Sequence, residues 1–169
     1  MKTRTLFCFT FLFLVTLCYS QNTTNSTTTY FFIRHAEKEE SNTKNSNPHL
    51  SEEGKKRAIK WSNYFTNINF DAIYSTNYHR TIETAKPTAQ KNQLALTFYN
   101  PLQVNVETFL EETKGKTVLV VGHSNTIPRL VNHILGEEKY PDISENNNGN
   151  LYILTLIDNT VSDVLLSIN

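Results

Sequence analysis

Cysteine is almost missing from this chain, and its placement decides what the rest excludes. Cys8 and Cys18 are the two present, so a chain cut after Ser20 keeps no thiol. Disulfides, a cysteine nucleophile and thiolate metal centres are then excluded together. A charge excess is missing too. The 16 Lys and Arg balance 16 Asp and Glu, which leaves no long-range field to attract nucleic acid or an anionic membrane surface. No internal repeat is present, and the one long apolar run, Leu6 to Leu17, falls short of the roughly 20 residues that span a bilayer.

What that run does offer is an export signal. Lys2 and Arg4 precede it, and Cys18-Tyr19-Ser20 places small residues where a signal peptidase reads. The expected organisation is a signal peptide over residues 1–20, a flexible polar leader over 21–28 and one folded domain over 29–169. The leader is nearly all Asn, Thr and Ser, too polar to offset its ordering entropy. The product would be periplasmic or secreted and, without Lys2 and Arg4, slightly acidic. A membrane anchor is argued against by the length of the run. Lipid attachment at Cys18 is argued against by Leu17, where a lipobox takes a small residue.

Within the domain, Tyr30 to Ile33, Ala72 to Ser75 and Thr117 to Val121 read as short buried strands, with Leu94 to Tyr99 as an edge strand. Helical spacing of apolar residues predicts helices over Ser51 to Thr66, Tyr78 to Gln93 with a bend at Pro87, Val104 to Glu112, and from Asn125 or Thr126 to Leu135. Leu151 to Ile157 and Val161 to Ile168 flank Asp158-Asn159-Thr160 as a terminal hairpin. This alternation predicts an α/β fold, a three-layer sandwich whose mainly parallel sheet carries helices on both faces.

Three segments follow predicted strands, at the sheet edge where such folds bind ligands. They are Arg34-His35-Ala36-Glu37, Ser75-Thr76-Asn77-Tyr78-His79-Arg80-Thr81 and Gly122-His123-Ser124-Asn125. Two imidazoles and two guanidiniums without metal-binding thiols suit the holding and attack of a phosphoryl group. Here the chain resembles the histidine phosphatase superfamily, the phosphoglycerate mutase-like family. The likeness is carried by Arg34-His35-Ala36-Glu37-Lys38, Leu50-Ser51-Glu52-Glu53-Gly54 with Arg57-Ala58, Ile73-Tyr74-Ser75-Thr76 leading to Arg80-Thr81 and Thr84-Ala85, and Val120-Val121-Gly122-His123-Ser124. Ala36 replaces the usual glycine.

The resemblance implies a metal-independent phosphatase with a phosphohistidine formed on His35, needing no cofactor. Arg34, Arg80 and His123 would bind the phosphoryl oxygens. The proton donor for the leaving group stays open among Glu37, Glu83 and Glu107, with Glu37 favoured because it shares a loop with His35. His49, His79 and His133 read as loop, rim and helix residues. No His-Glu-x-x-His spacing supports a metal reading of His35 with Glu37. The expected activity is hydrolysis of a small phosphomonoester or phosphoramidate, the alternative being a phospholigand-binding domain without turnover. The loops over Glu37 to His49, Leu94 to Lys114 and Tyr140 to Asn150 would choose the substrate. Neither substrate nor oligomeric state is written in a recognisable motif.

Overall fold

The computed structural model describes residues 26–42, 44–158 and 160–168. The expected signal peptide and most of the polar leader lie outside them. Among the described residues no helix is long and apolar enough to cross a membrane.

Ten elements follow one another: β1 (Thr27–Arg34), α1 (Glu52–Tyr64), β2 (Ala72–Ser75), α2 (His79–Asn92), β3 (Leu96–Phe98), α3 (Val106–Glu112), β4 (Thr117–Gly122), α4 (Thr126–Leu135), β5 (Asn150–Ile157) and β6 (Thr160–Ser167). The strands form one sheet in the order β3-β2-β4-β1-β5-β6. β3, β2, β4 and β1 are parallel, β5 runs antiparallel to β1, and β6 returns antiparallel to β5. The hairpin turns at Asp158, whose φ of 53° lies in the left-handed region.

Alternation along the central strands builds two cores. Tyr30 and Phe32 of β1, with Val118 and Val120 of β4, face Phe109 of α3 and Ile127, Val131 and Ile134 of α4. Phe31 and Ile33, with Leu119 and Val121, face Trp61 of α1, nearby Phe65, and Ala85 and Ala89 of α2. Each large side chain buried this way contributes about 1.5–3 kcal/mol. The sheet is thus the middle of three layers, as its hydrophobic pattern requires.

Boundaries differ from the sequence reading where pairing or capping decides. β1 begins at Thr27 rather than at the apolar run, because Thr27 to Thr29 pair with β5 and Thr29 also lies opposite Thr117 of β4. The edge strand β3 is three residues long, with one neighbour to pair with. α3 starts at Val106 because Asn105 caps it, accepting from the Thr108 N–H at 2.8 Å. α2 continues through Pro87 as one helix. Proline removes a backbone donor there, but Thr84, Ala85, Thr88 and Ala89 are buried along the same helix and hold it to the sheet.

Glycine is required at position 54. A Cβ there would lie 2.1 Å from the Glu37 carbonyl oxygen. The α1 N-terminus, capped by Ser51, therefore packs directly on the loop that leaves β1, and the Ser51 N–H donates to that same carbonyl at 2.9 Å.

Candidate active site

The carboxyl ends of β1, β2 and β4 release His35, Thr76 and His123 at one sheet edge. The two imidazole rings lie 5.5 Å apart, centre to centre, at 68°. His35 is buried. Its backbone N–H extends the ladder to the Gly122 carbonyl at 2.9 Å, and Asn148 Nδ2 donates to the His35 carbonyl at 2.8 Å. Its Nδ1 lies 2.7 Å from the Ala36 carbonyl oxygen. A carbonyl can only accept, so Nδ1 carries the proton and Nε2 keeps its lone pair. Burial, with the charges of Arg34 and Arg80, pushes the His35 pKa down to about 3. The ring is neutral near pH 7, with the Nε2 lone pair free.

His123 is held from both sides. Its Nδ1 faces Arg80 Nη2 at 3.3 Å and its Nε2 faces Thr76 Oγ1 at 2.9 Å. Thr76 donates its own proton to Thr81 Oγ1, which donates to the Thr76 and Tyr78 carbonyls. Hydroxyl and guanidinium together place the His123 proton on Nε2 and leave Nδ1 accepting from Arg80. Burial, then Arg80 and Arg34, lower the His123 pKa to about 4. The Arg80 guanidinium also sits 4.6 Å above the Tyr78 ring.

Arg34 ties the far loop to this edge. Its Nη1 donates to the carbonyls of Ser144, Glu145 and Asn147 at 2.8–3.1 Å, and its Nη2 to Glu145 Oε2 at 2.7 Å. Glu145 Oε1 accepts from Ser124 Oγ at 3.1 Å. The Nε groups of Arg34 and Arg80 are buried without a protein partner. Two buried cationic donors beside a neutral histidine make a place where an anion's oxygens would be welcome.

The histidine phosphatase superfamily (branch 1) profile matches residues 30–103 of the chain, the stretch that holds Arg34, His35 and Arg80. Over this stretch the chain matches the signature of that superfamily. Among solved structures it is similar to YhfR of Bacillus stearothermophilus at 14% identity and a TM-score of 0.67, covering 83% of this chain and 97% of that one. The protein histidine phosphatase SixA, solved with tungstate, matches at 16% identity and 0.66, covering 82% and 96%. The phosphoserine phosphatase of Entamoeba histolytica, solved with 3-phosphoglyceric acid, matches at 20% and 0.57, covering 83% and 96%. These likenesses establish the phosphoglycerate mutase-like fold. No curated protein matches.

The three carboxylates considered as proton donors have different surroundings. Glu37 Oε1 takes Arg57 Nε at 2.6 Å, while its Oε2 is buried without a partner and the residue lines the pocket that also holds Arg34 and His35. Glu83 accepts from the Leu50 N–H at 2.8 Å and meets His49 Nδ1 at 2.5 Å. Burial raises the Glu83 pKa, but Leu50 and His49 outweigh it and the carboxyl lies below its ordinary value. Glu107 is on the exposed side of α3 and lines neither pocket beside the two histidines. His49 and His79 stack at 4.1 Å beside Glu83, pinning the 37–49 loop to the start of α2. His133 lies in the last turn of α4.

Glu145 was not among the candidate residues, and no local pattern marks it. It sits in an asparagine-rich loop and reaches the site only because β5 is antiparallel, so the segment entering β5 arrives at the edge from which β1 and β4 leave. The roles of Thr76 and Thr81 were hidden within a matched motif for a similar reason. Their hydroxyls matter through a histidine 47 residues away from Thr76.

Proposed function

We propose that this chain is a phosphatase that hydrolyses a phosphomonoester or phosphoramidate through a phosphohistidine on His35. The observation that carries this reading is the Nδ1 contact of His35 with the Ala36 carbonyl, which leaves Nε2 unprotonated beside two arginines. In the first step Nε2 attacks phosphorus, the P–O or P–N bond breaks, and its electron pair leaves with the departing group, which takes a proton from solvent. In the second, water attacks phosphorus, the P–Nε2 bond breaks, the pair returns to the imidazole, and phosphate departs with the proton balance made by solvent. Arg80 and the unpartnered Nε edge of Arg34 would neutralise the equatorial oxygens. His123, whose Nε2 proton goes to Thr76, would contribute by accepting from Arg80 through Nδ1 and so holding that guanidinium toward the phosphoryl oxygens. The Lys2 to Ser20 pattern supports an exported enzyme.

The deciding measurement is phosphate release from p-nitrophenyl phosphate. His35→Ala is expected to lose at least about 10³-fold in kcat, as removal of a covalent nucleophile does. Equal rates for wild type and variant would leave a phospholigand-binding domain instead. Export is checked by the N-terminal sequence of the protein recovered outside the cytoplasm, which is expected to begin at Gln21.

A further inference from the structure

Among the described residues, one group of three metal-ligating side chains converges, and it is separate from the His35–His123 pair. His49, His79 and Glu83 each offer one ligating atom, and these atoms all lie within 4.8 Å of one another. His79 and Glu83 stand four residues apart on α2, so they share a helix face. The loop that leaves β1 brings His49 over them. Its backbone is fixed on both sides: Pro48 and Leu50 are buried, the His49 carbonyl accepts from the Glu39 N–H at 2.9 Å, and the Leu50 N–H donates to Glu83 Oε2 at 2.8 Å. The start of α2 is tied to the same loop, since the His79 N–H donates to Asn47 Oδ1 at 2.9 Å. The backbones are therefore set, while the two imidazoles, both on exposed residues, are free to turn.

We propose that these three residues form a binding site for a divalent transition-metal ion of the zinc class. Two imidazoles and one carboxylate are a donor set that suits zinc, with water in the fourth position. Magnesium and calcium would want oxygen ligands instead. His49 Nδ1 meets Glu83 Oε1 at 2.5 Å across a shared proton; a zinc ion takes the place of that proton, which passes to solvent. Glu83 is already oriented for this, because the Leu50 N–H occupies Oε2 and leaves Oε1 to the imidazole. Tetrahedral zinc sets neighbouring donors about 3.3 Å apart. The rings, stacked at 4.1 Å, must therefore turn out of parallel to bind, which their exposure permits. The bound ion clamps the 37–49 loop to α2 one residue before Arg80, whose Nη1 reaches the Ser46 carbonyl of that loop at 3.4 Å. This site is independent of the phosphatase reading and takes no part in the proposed chemistry.

Calorimetric titration of the full chain with zinc chloride, in a phosphate-free buffer, tests the site. His49→Gln and His79→Gln are each expected to weaken binding at least about tenfold, since loss of even an outer partner of a metal site costs about 10- to 100-fold. His133→Gln, which removes a histidine of α4, should bind zinc as wild type does. Magnesium chloride should not compete. NMR of the imidazole rings in wild type locates the ion without any substitution: the His49 and His79 signals should shift on adding zinc, and those of His35 and His123 should not. Zinc at about 100 times its dissociation constant should raise Tm by about 3–6 °C in wild type and not in His49→Gln. With chelator present the two chains are expected to share one Tm, which shows that the variant folds. Equal zinc affinity in wild type and both variants would overturn the proposal. So would shifts at His35 and His123 in place of His49 and His79, or the absence of saturable binding.

Discussion

The chemistry of this site depends on where two protons sit. His35 keeps Nε2 free because a carbonyl claims Nδ1, and His123 is turned the other way because Thr76 accepts from its Nε2. The Thr76 hydroxyl can accept because it spends its own proton on Thr81. Thr76 is therefore a positioning residue for His123. Thr76→Val keeps the shape but strands a buried N–H, which costs about 1–3 kcal/mol. The expected result is a fall in kcat/KM of about 10- to 100-fold, with Thr76→Ser near wild type. Nitrogen-15 NMR of the His123 ring would supply the readout that a packing role would not move, a shift from the Nε2–H to the Nδ1–H tautomer. At this scale Arg34, His35, Arg80 and His123 were legible because they sit in three short motifs at or after strand ends. Thr76 and Glu145 were not, since their partners lie far off along the chain and only the strand register brings them near.

Loops rather than strands decide what the site admits. The segment from Ser144 to Asn148 supplies three carbonyls to Arg34, one amide to His35 and the Glu145 carboxylate. Burial raises the Glu145 pKa, but the Arg34 charge and the Ser124 hydroxyl outweigh it, so this side chain is an anion throughout the neutral range. It holds Arg34 Nη2, for which the phosphoryl oxygen of the proposed reaction would compete. Removing the charge in Glu145→Gln is expected to tighten inhibition by inorganic phosphate about 2- to 5-fold, the modest size reflecting its 68% exposure. Weaker inhibition would mean that the carboxylate serves instead to hold the loop in place. The strands and helices of this chain were readable from periodicity, because the sheet is buried on both faces and each helix presents one apolar side. Their ends were less so. Thr27 to Thr29 carry no apolar signal and join β1 through backbone pairing, while Pro87 is tolerated in α2 because the buried residues around it hold the helix down.

Taken as a whole, the molecule holds two neutral histidines among arginines, His35 buried and His123 half-buried, and its stability must register them. In the unfolded chain both rings titrate near the ordinary value of 6.5; in the folded chain they take a proton only near pH 3 for His35 and pH 4 for His123. Between these limits the unfolded state binds more protons, so stability falls as pH falls. Their penalty is absent at pH 7 and grows by at most about 1.4 kcal/mol per pH unit for each ring. At pH 5 it amounts to about 2 kcal/mol apiece. The carboxyls of Glu83, Glu145 and Asp163 all lie below their ordinary values of 4.5, 4.5 and 3.8. Their stabilising contributions are therefore retained at pH 5 and lost further down, as pH falls through their folded-state values. Urea unfolding at pH 7 and pH 5 thus separates the imidazoles from the carboxylates. His35→Asn removes one of the two rings and is expected to lose about half as much stability as wild type over that interval. Identical losses in the two proteins would mean that His35 is not held neutral by its surroundings, and the nucleophile would lack the protonation state on which the proposed chemistry rests.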